Sequence, residues 1–577
     1  MSQPGPANQP VNPPVTSLAR RWDELLSLPA RSSLADLLLA YVRPRRWFRA
    51  KARRLQGARV VDLLPLHDLS VDDVDGQRTT SVLVLLEIAY RATSDSAAGG
   101  GQPSAQPTSS EGASATDLYV VPLARVDRAA ADSLQRDAPH AIIGTWTDGA
   151  LVDGLASGVA ANALLALVRG AGTARGEAGV LRGESSATLE SLATGAALVA
   201  SAARGEQTNS TLLFGDRLLM KIYRQIDHGP SPELEVGRFL TAHCQPPCAP
   251  RVVGALSYQR DGDDPRVVGL VHEFLANDGD AWSMVGRELR AALDAKGVAA
   301  GDVHAPVPPA GIMSSRFARL AETLGRRTAE LHLALANGGG DVVFQPEPLT
   351  SADRAAQAAR VEAMLAEHLA TLDSTLDSLP TATQTLALPL RDGGACRRAI
   401  ADILARFGGE PLDVVKTRIH GDLHLGQVLC RGDDFVIIDF EGEPARPLEE
   451  RRAKSSPLRD VMGMVRSFDY APAAALREPD RPTPDAARHA ALLRAAADWT
   501  RAVTDRYLGA YQAAVGAAAF MPRGPRAREK LSLMLTFYEL EKVVYELGYE
   551  LHNRPDWVEI PLRGLARIAG AAAEAPP

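Results

Sequence analysis

The sequence predicts an α+β protein: a β-rich lobe precedes a mainly helical one, with a small α/β domain in front of both. Three observations carry this. From residue 205 the runs GEQTNSTLLFGDRLLMKIYR and Val267–His272 show the short alternating apolar pattern of strands. Beyond residue 280 the apolar spacing is helical nearly throughout. Inside that helical part lies Arg418-Ile419-His420-Gly421-Asp422-Leu423-His424-Leu425-Gly426-Gln427, followed by Ile437-Ile438-Asp439-Phe440-Glu441-Gly442.

Taken in order, residues 1–16 are Pro-rich and polar and are expected to be disordered. A helix-like segment covers 17–42, and strand-like runs follow at Ala58–Pro65, Thr80–Tyr90 and Leu118–Leu123. Between the last two lies a Gly/Ser/Pro-rich insert, residues 93–116, that cannot build a core. Strand, polar insert and strand together predict a hairpin with a lengthened connection, which costs the sheet little. Residues 17–135 thus form one small α/β domain. Residues 136–275 comprise an Ala/Gly-rich stretch without a clear pattern and then the β-rich lobe. Residues 276–577 form the helical lobe, with amphipathic helices at 316–335 and 353–378. Residues 336–350 and 379–393 read as polar connections, and no internal repeat is present.

The chain has 577 residues, 46% apolar and 23% charged, with a net charge of −7. That length implies about two to four domains. The charge gives no reason to expect nucleic acid as a partner. No run reaches the roughly 18 apolar residues of a membrane span, and the N-terminus lacks the basic start and apolar run of a signal peptide. Four cysteines in this length make no disulfide framework. Cys244 and Cys248 form a CxxxC without a second ligand pair, which argues against a metal site. The cytoplasm is the expected compartment.

The run at 418–442 carries the chemistry. An Asp after His-Gly, an amide five residues later and a second Asp 17 residues on are the groups that phosphoryl transfer to a hydroxyl requires. Asp422 is the candidate catalytic carboxylate, which orients the acceptor hydroxyl and takes its proton late. Gln427 and Asp439 are candidate Mg²⁺ ligands, both offering oxygen to a hard cation. The apolar residues Phe435-Val436-Ile437-Ile438 would deliver Asp439 on a buried strand. Glu441 reads more simply as a salt-bridging residue than as a third ligand.

Lys221 sits in an alternating apolar strand, where an ammonium needs a partner. ATP phosphates are the natural one, with Glu235 holding the lysine otherwise and Glu233 as a competing choice. There is no Gly-rich phosphate loop; Thr208, Asn209 and Ser210 supply hydroxyl, amide and backbone donors in its place. Glu273 and Leu275, at the end of the β-rich lobe, would offer backbone groups to the adenine.

These residues closely resemble the maltokinases, relatives of aminoglycoside phosphotransferases with a bilobal eukaryotic-type protein-kinase-like fold. The resemblance rests on RRWFRAK at 45–51, FGDRLLMKIYR at 214–224, ELEVGRFL at 233–240, FLANDGDAW at 274–282, GRRTAELHLAL at 325–335, the long segment 421–471 and YELEKVVYELGYELHNRPDWVEIPL at 538–562. It spans most of residues 30–565. It implies an N-terminal cap domain at 17–135 and an ATP- and Mg²⁺-dependent transfer to the anomeric hydroxyl of maltose, giving maltose 1-phosphate in trehalose, glycogen and α-glucan metabolism. It also implies sugar contacts by His420, Asp422, Lys542, Tyr545 and Tyr549. The last three fall at i, i+3 and i+7, on one helical face. The chain looks like the kinase half of trehalose synthase–maltokinase fusions, which suggests a trehalose synthase partner.

Two alternatives stay open. The same chemistry could serve glucosamine or another sugar, with Glu541, Glu546 or Glu550 as the carboxylate for an amino sugar's ammonium. A catalytically silent scaffold for trehalose synthase is the other, though it would have no physical need for Lys221, Asp422, Gln427 and Asp439 together.

Overall fold

A computed structural model of the chain describes residues 16–51, 53–66, 81–91, 116–194, 198–202, 209–298, 313–391, 394–477 and 486–574. Residues 1–15, nearly all of the insert expected at 93–116, and Thr208 lie outside these. The chain divides into two compact units, Met1–Arg238 with Pro250–Ala276, and Phe239–Ala249 with Asn277–Pro577.

The first unit holds two sheets. Its first sheet contains β1 (Thr16–Ser17), β2 (Leu55–Leu66), β3 (Ser81–Tyr90), β4 (Thr116–Asp127), β5 (Ile142–Trp146) and β6 (Gly149–Asp153), in the order β1-β5-β6-β4-β3-β2. Helices α1 (Trp22–Leu26), α2 (Arg31–Val42) and α3 (Arg128–Asp137) accompany it. The single helix expected over 17–42 is split by a 3₁₀ turn at Leu28–Ala30. Pro29 explains the break, because it has no N–H with which to continue the α ladder. Strands β3 and β4 pair antiparallel from Ser81↔Ala124 to Ala89↔Thr116, the hairpin expected across the insert. The sheet runs past residue 135, where the sequence suggested a boundary, and takes in β5 and β6.

The second sheet follows the order β7 (Thr173–Arg175), β8 (Gly179–Ser185), then β13 (Val252–Arg260), β14 (Arg266–Glu273), β11 (Leu218–Ile222), β10 (Ser210–Phe214) and β9 (Ala200–Ala202). Helices α4 (Val159–Arg169) and α5 (Ala187–Ala193) belong to the same stretch, and β12 (Gln225–Ile226) pairs with β4. One apolar core serves both sheets: Leu64, Leu85 and Val120 of the first share it with Phe214, Met220 and Val271 of the second, and Leu164 and Val168 of α4 join them. Polar ties cross the same interface. The Tyr258 hydroxyl donates to Asp62 at 2.9 Å, and Arg224 pairs with the buried Asp153 at 2.6 Å.

Helix α6 (Pro232–His243) begins among first-unit residues and ends among those of the second. The second unit is helical: α7 (Ala281–Val298), α8 (Ser315–Ala336), α9 (Ser351–Thr375), α10 (Thr381–Arg391), α11 (Ala395–Gly409), α12 (Leu448–Arg452), α13 (Leu458–Leu476), α14 (Ala486–Val515), α15 (Ala527–Asn553) and α16 (Glu559–Glu574). Two short pairings interrupt it, β15 (Glu347–Pro348) with β16 (Val415–Lys416), and the hairpin β17 (Val428–Arg431) with β18 (Asp434–Ile437). Helices α8 and α9 match the amphipathic segments seen in the sequence. Residues 379–393, read as a connection, instead contain α10, in which Pro389 stands near the C-terminal end. Phe407 of α11 and Phe537 of α15, both fully buried, stack at 3.5 Å. Burying one such ring contributes about 1.5–3 kcal/mol. Helix α13 is buried on nearly every side, so its polar residues must be satisfied internally. No described helix is long and apolar enough to cross a membrane.

Candidate active site

In the first unit, β11 alternates with Leu218, Met220 and Ile222 toward the core, which turns Leu219 and Lys221 to the other face. Lys221 Nζ lies 2.7 Å from a Glu233 carboxylate oxygen, and the Tyr223 hydroxyl donates to the same oxygen at 2.5 Å. Glu233, the competing choice in the sequence, is thus a carboxylate partner of Lys221. The two residues stand two apart on α6 and face different sides of it. His272 of β14 lies 3.9 Å from Glu233's other oxygen. The Lys221 and Glu233 side chains are 13% and 5% exposed, so this ion pair sits in a dry setting. Asn209 is buried beside β10. Ser210, expected to face phosphate, accepts a hydrogen bond from Arg224 at 2.7 Å. Glu273 lies 3.6 Å from Arg251, and the backbone N–H of Phe274 donates to Arg217.

In the second unit, Asp460 near the start of α13 fixes the catalytic run. Its carboxylate accepts the backbone N–H groups of His420 at 2.7 Å and Gly421 at 2.8 Å. His332 of α8 bonds it at 3.2 Å through Nε2 and bonds Tyr511 of α14 through Nδ1. Burial pushes the Asp460 carboxyl up, but the His332 bond and the Gly421 amide bring it below the usual carboxylate range. Gly421 has φ +85°, and a Cβ there would come within 3.3 Å of the Gly442 Cα. Only glycine suits this left-handed, crowded turn.

His420 turns inward. The sequence placed it against the sugar, yet it is 1% exposed and both ring nitrogens bond the loop itself. Nε2 lies 2.9 Å from the Ile438 carbonyl, and Nδ1 accepts the Asp422 amide at 3.3 Å. It braces the run from inside.

The β17–β18 hairpin brings the two candidate metal ligands together. Val428 pairs with Ile437, and the Ile438 amide donates to the Gln427 carbonyl, so Gln427 and Asp439 emerge side by side. The Gln427 amide nitrogen donates to Asp439 at 2.9 Å, leaving its oxygen free to turn to a cation. Asp439 has φ +69°, a left-handed conformation that a non-glycine residue adopts at a cost and that clusters at functional sites. Glu441, 9% exposed, places a carboxylate oxygen within 4.8 Å of one from Asp439. All-oxygen donors at this spacing fit Mg²⁺.

Helix α15 supplies the other wall. Lys542 Nζ lies 3.4 Å from Asp422 and 3.6 Å from Glu443, and sits over the Tyr545 ring. Burial lowers the Lys542 pKa, but Asp422 and Glu443 outweigh it and raise it overall. Burial and then Glu443 push the Tyr545 phenol up. Asp422, Glu443, Arg446, Lys542 and Tyr545 line one small recess. Tyr549, one turn beyond, is not in its lining and is 37% exposed.

The three glutamates that the sequence offered for an ammonium are already committed. Glu541 is met by Arg360, Arg446 and Arg459. Glu546 pairs with Arg466, and Glu550 with Arg554 and Tyr470. The sequence reading missed Glu443, although the alternation Asp439, Glu441, Glu443 could have flagged it. It also missed Asp460 and His424, whose roles depend on contacts across the fold. His424 accepts the Gly426 amide, and burial, then the Lys542 charge, push its pKa down to about 3.

No family model matches the chain. The glucosamine kinase of Streptacidiphilus jiangxiensis is 27% identical over 366 residues, 62% of this chain and 70% of that protein. The glucosamine kinase of Mycolicibacterium smegmatis (strain ATCC 700084 / mc(2)155) is 26% identical over 373 residues, 62% of this chain and 78% of its own. Among solved structures, a glucosamine kinase in complex with glucosamine, ADP and inorganic phosphate superposes with a TM-score of 0.55 at 20% identity, over 96% of this chain and 100% of that one. A glucosamine kinase in crystal form A gives 0.51 at 21% identity, over 92% and 98%. The chain therefore has the α+β fold of these kinase structures. Fold, motifs and relatives together support a sugar-directed kinase. They do not reach maltose, and they carry no support for a trehalose synthase partner.

Proposed function

We propose that the chain is an ATP- and Mg²⁺-dependent sugar kinase whose acceptor is glucosamine or a related amino sugar. The observation that carries this is the recess beside Asp422, where Asp422 and Glu443 face a single ammonium, Lys542. The recess is lined by four carboxylates, Asp422, Glu443, Asp460 and Glu541, against three cations, Arg446, Arg459 and Lys542, which leaves negative charge for the cation that an amino sugar brings. The relatives named above point to the same acceptor.

In this reading Asp422 accepts a hydrogen bond from the attacking hydroxyl and takes its proton as the bond to phosphorus forms. Lys542 holds the Asp422 carboxylate in position. Gln427 and Asp439, with Glu441 in reach, would hold Mg²⁺, which when bound neutralises charge on the transferring phosphoryl group. Lys221, freed from Glu233, would pair with nucleotide phosphates. Asn209 and the β10 amides stand nearby in sequence for the same purpose.

Maltose is the second reading. It is favoured by the exposed Tyr549, which continues the Lys542–Tyr545 face outward as an aromatic surface of the kind a second sugar ring stacks on. An ADP-release assay with MgATP against glucosamine, maltose, glucose and trehalose separates the readings. Selective glucosamine turnover, weakened in Glu443→Gln, supports the first. Selective maltose turnover, weakened in Tyr549→Ala, replaces it with the second. Full activity in Asp422→Ala would refute both.

A further inference from the structure

Cys244 and Cys248 are joined in a disulfide that closes the ring Cys-Gln-Pro-Pro-Cys directly after the end of α6. This ring touches the catalytic run. The Cys248 carbonyl accepts the Ile437 amide at 3.1 Å, two residues before Asp439. Nearby, Phe239 in the last turns of α6 stacks on Phe344 at 3.8 Å, and the Arg418 guanidinium lies over that Phe344 ring. The two sulfurs are not equivalent. Both residues are buried, Cys244 at 6% and Cys248 at 1% exposure, but Cys244 borders a recess with Gln245, Pro246, Leu333 and Asn337. Cys396 and Cys430 are free thiols.

We propose that Cys244–Cys248 is a reversible thiol–disulfide modification site, reduced by a dithiol, that sets the affinity for MgATP through the position of Asp439. The effect on nucleotide rests on the kinase reading above; the site itself does not. A dithiol's thiolate attacks Cys244 Sγ from the recess, the Cys244–Cys248 bond breaks, and Cys248 leaves as a thiolate that takes up a proton. The reductant's second thiol then displaces Cys244, which is likewise protonated, and the reductant departs as a disulfide. Two electrons and two protons enter the protein. The intervening prolines limit the chain between the sulfurs, which keeps them close for reoxidation. In the closed ring the Cys248 carbonyl is fixed, and with it the amide bond that precedes Asp439. Opening the ring frees that carbonyl.

The test uses the full chain in dithiothreitol buffers of graded ratio of reduced to oxidised reagent. Alkylation with mass spectrometry reads the thiols, and hydrogen exchange reads the 434–439 segment. The expected result is two alkylatable cysteines in the oxidised form and four in the reduced form, with faster exchange at Ile437 on reduction. The KM for MgATP is expected to rise about fivefold and to recover on reoxidation. Cys244→Ser and Cys248→Ser are expected to behave as the reduced form and to ignore the reagent. Should either variant fail to fold, the reversible titration of the unmodified protein decides alone. Four free thiols at every ratio, or equal exchange at Ile437 in both forms, would overturn the proposal. Redox-dependent exchange without Mg²⁺-dependent ATP binding in either form would leave the thiol site standing and defeat the kinase reading.

Discussion

The proposed mechanism concentrates its chemistry at one carboxylate, Asp422. Asp422→Ala is expected to lose about 10²–10⁴-fold in kcat, with the melting temperature little changed, because Lys542 retains Glu443 as a partner. A catalytically silent scaffold would show no turnover to lose. His424 gives a pH-dependent signature. Its folded pKa lies near 3, below the unfolded value near 6.5, so the unfolded chain binds the extra proton first. Stability from this group is complete above about pH 6.5 and falls as the pH drops toward 3. Melting temperatures of the wild type and His424→Asn between pH 7 and 4 should converge as pH falls if His424 carries this term; parallel curves would remove it. At this scale the sequence was legible where chemistry dictates spacing. Asp422, Gln427 and Asp439 could be read from one run, and the structure sets the last two side by side. Glu233 and Glu235 both stood open as partners of Lys221 because they lie on the same helical turn, and only the fold shows that Glu233 meets it. The inward hydrogen bonds of His420 were not legible, because ring nitrogens used inward look the same in sequence as those used outward.

Helix α13 and the β17–β18 hairpin are the elements that align these residues. Asp460 on α13 satisfies two loop amides and His332 at once, all in a buried setting. Asp460→Ala leaves those donors without an acceptor and should destabilise the fold by about 3–5 kcal/mol, read as a lower denaturant midpoint. Asp460→Asn keeps one acceptor oxygen and should recover part of this. Equal midpoints for the wild type and Asp460→Ala would mean the loop is held by other contacts. Strands and amphipathic helices were legible because their periods, two and 3.6, are written directly in the apolar spacing. Helix α10 was hidden because Thr and Pro in TATQTLALPLR read as a connection, and burial of its apolar positions outweighs those propensities. The 3₁₀ break at Pro29 was visible in the sequence and was passed over in favour of a longer helix.

For the molecule as a whole, MgATP should stabilise the native state, since it binds no unfolded chain. At a hundredfold excess over its Kd the gain is about 2.7 kcal/mol, seen as a higher melting temperature that disappears without Mg²⁺ or in Asp439→Asn. An unchanged shift in that variant would take Asp439 out of the metal site. The bilobal kinase class was legible from the order of β-rich and helical regions. The extent of the N-terminal domain was not, because pairing partners such as β5, β6 and β12 are chosen by neighbours distant in sequence. That sharing of partners has an outcome for engineering. Leu64 and Val120 of the first sheet are buried with Met220 and Val271 of the second, and Asp62 is tied to Tyr258. A polypeptide cut at residue 136 would leave half of that interior facing water, so the N-terminal sheet is not a detachable accessory. It shares one cooperative melting event with the strand that bears Lys221, and the slowest amides of both sheets should exchange at the same rate.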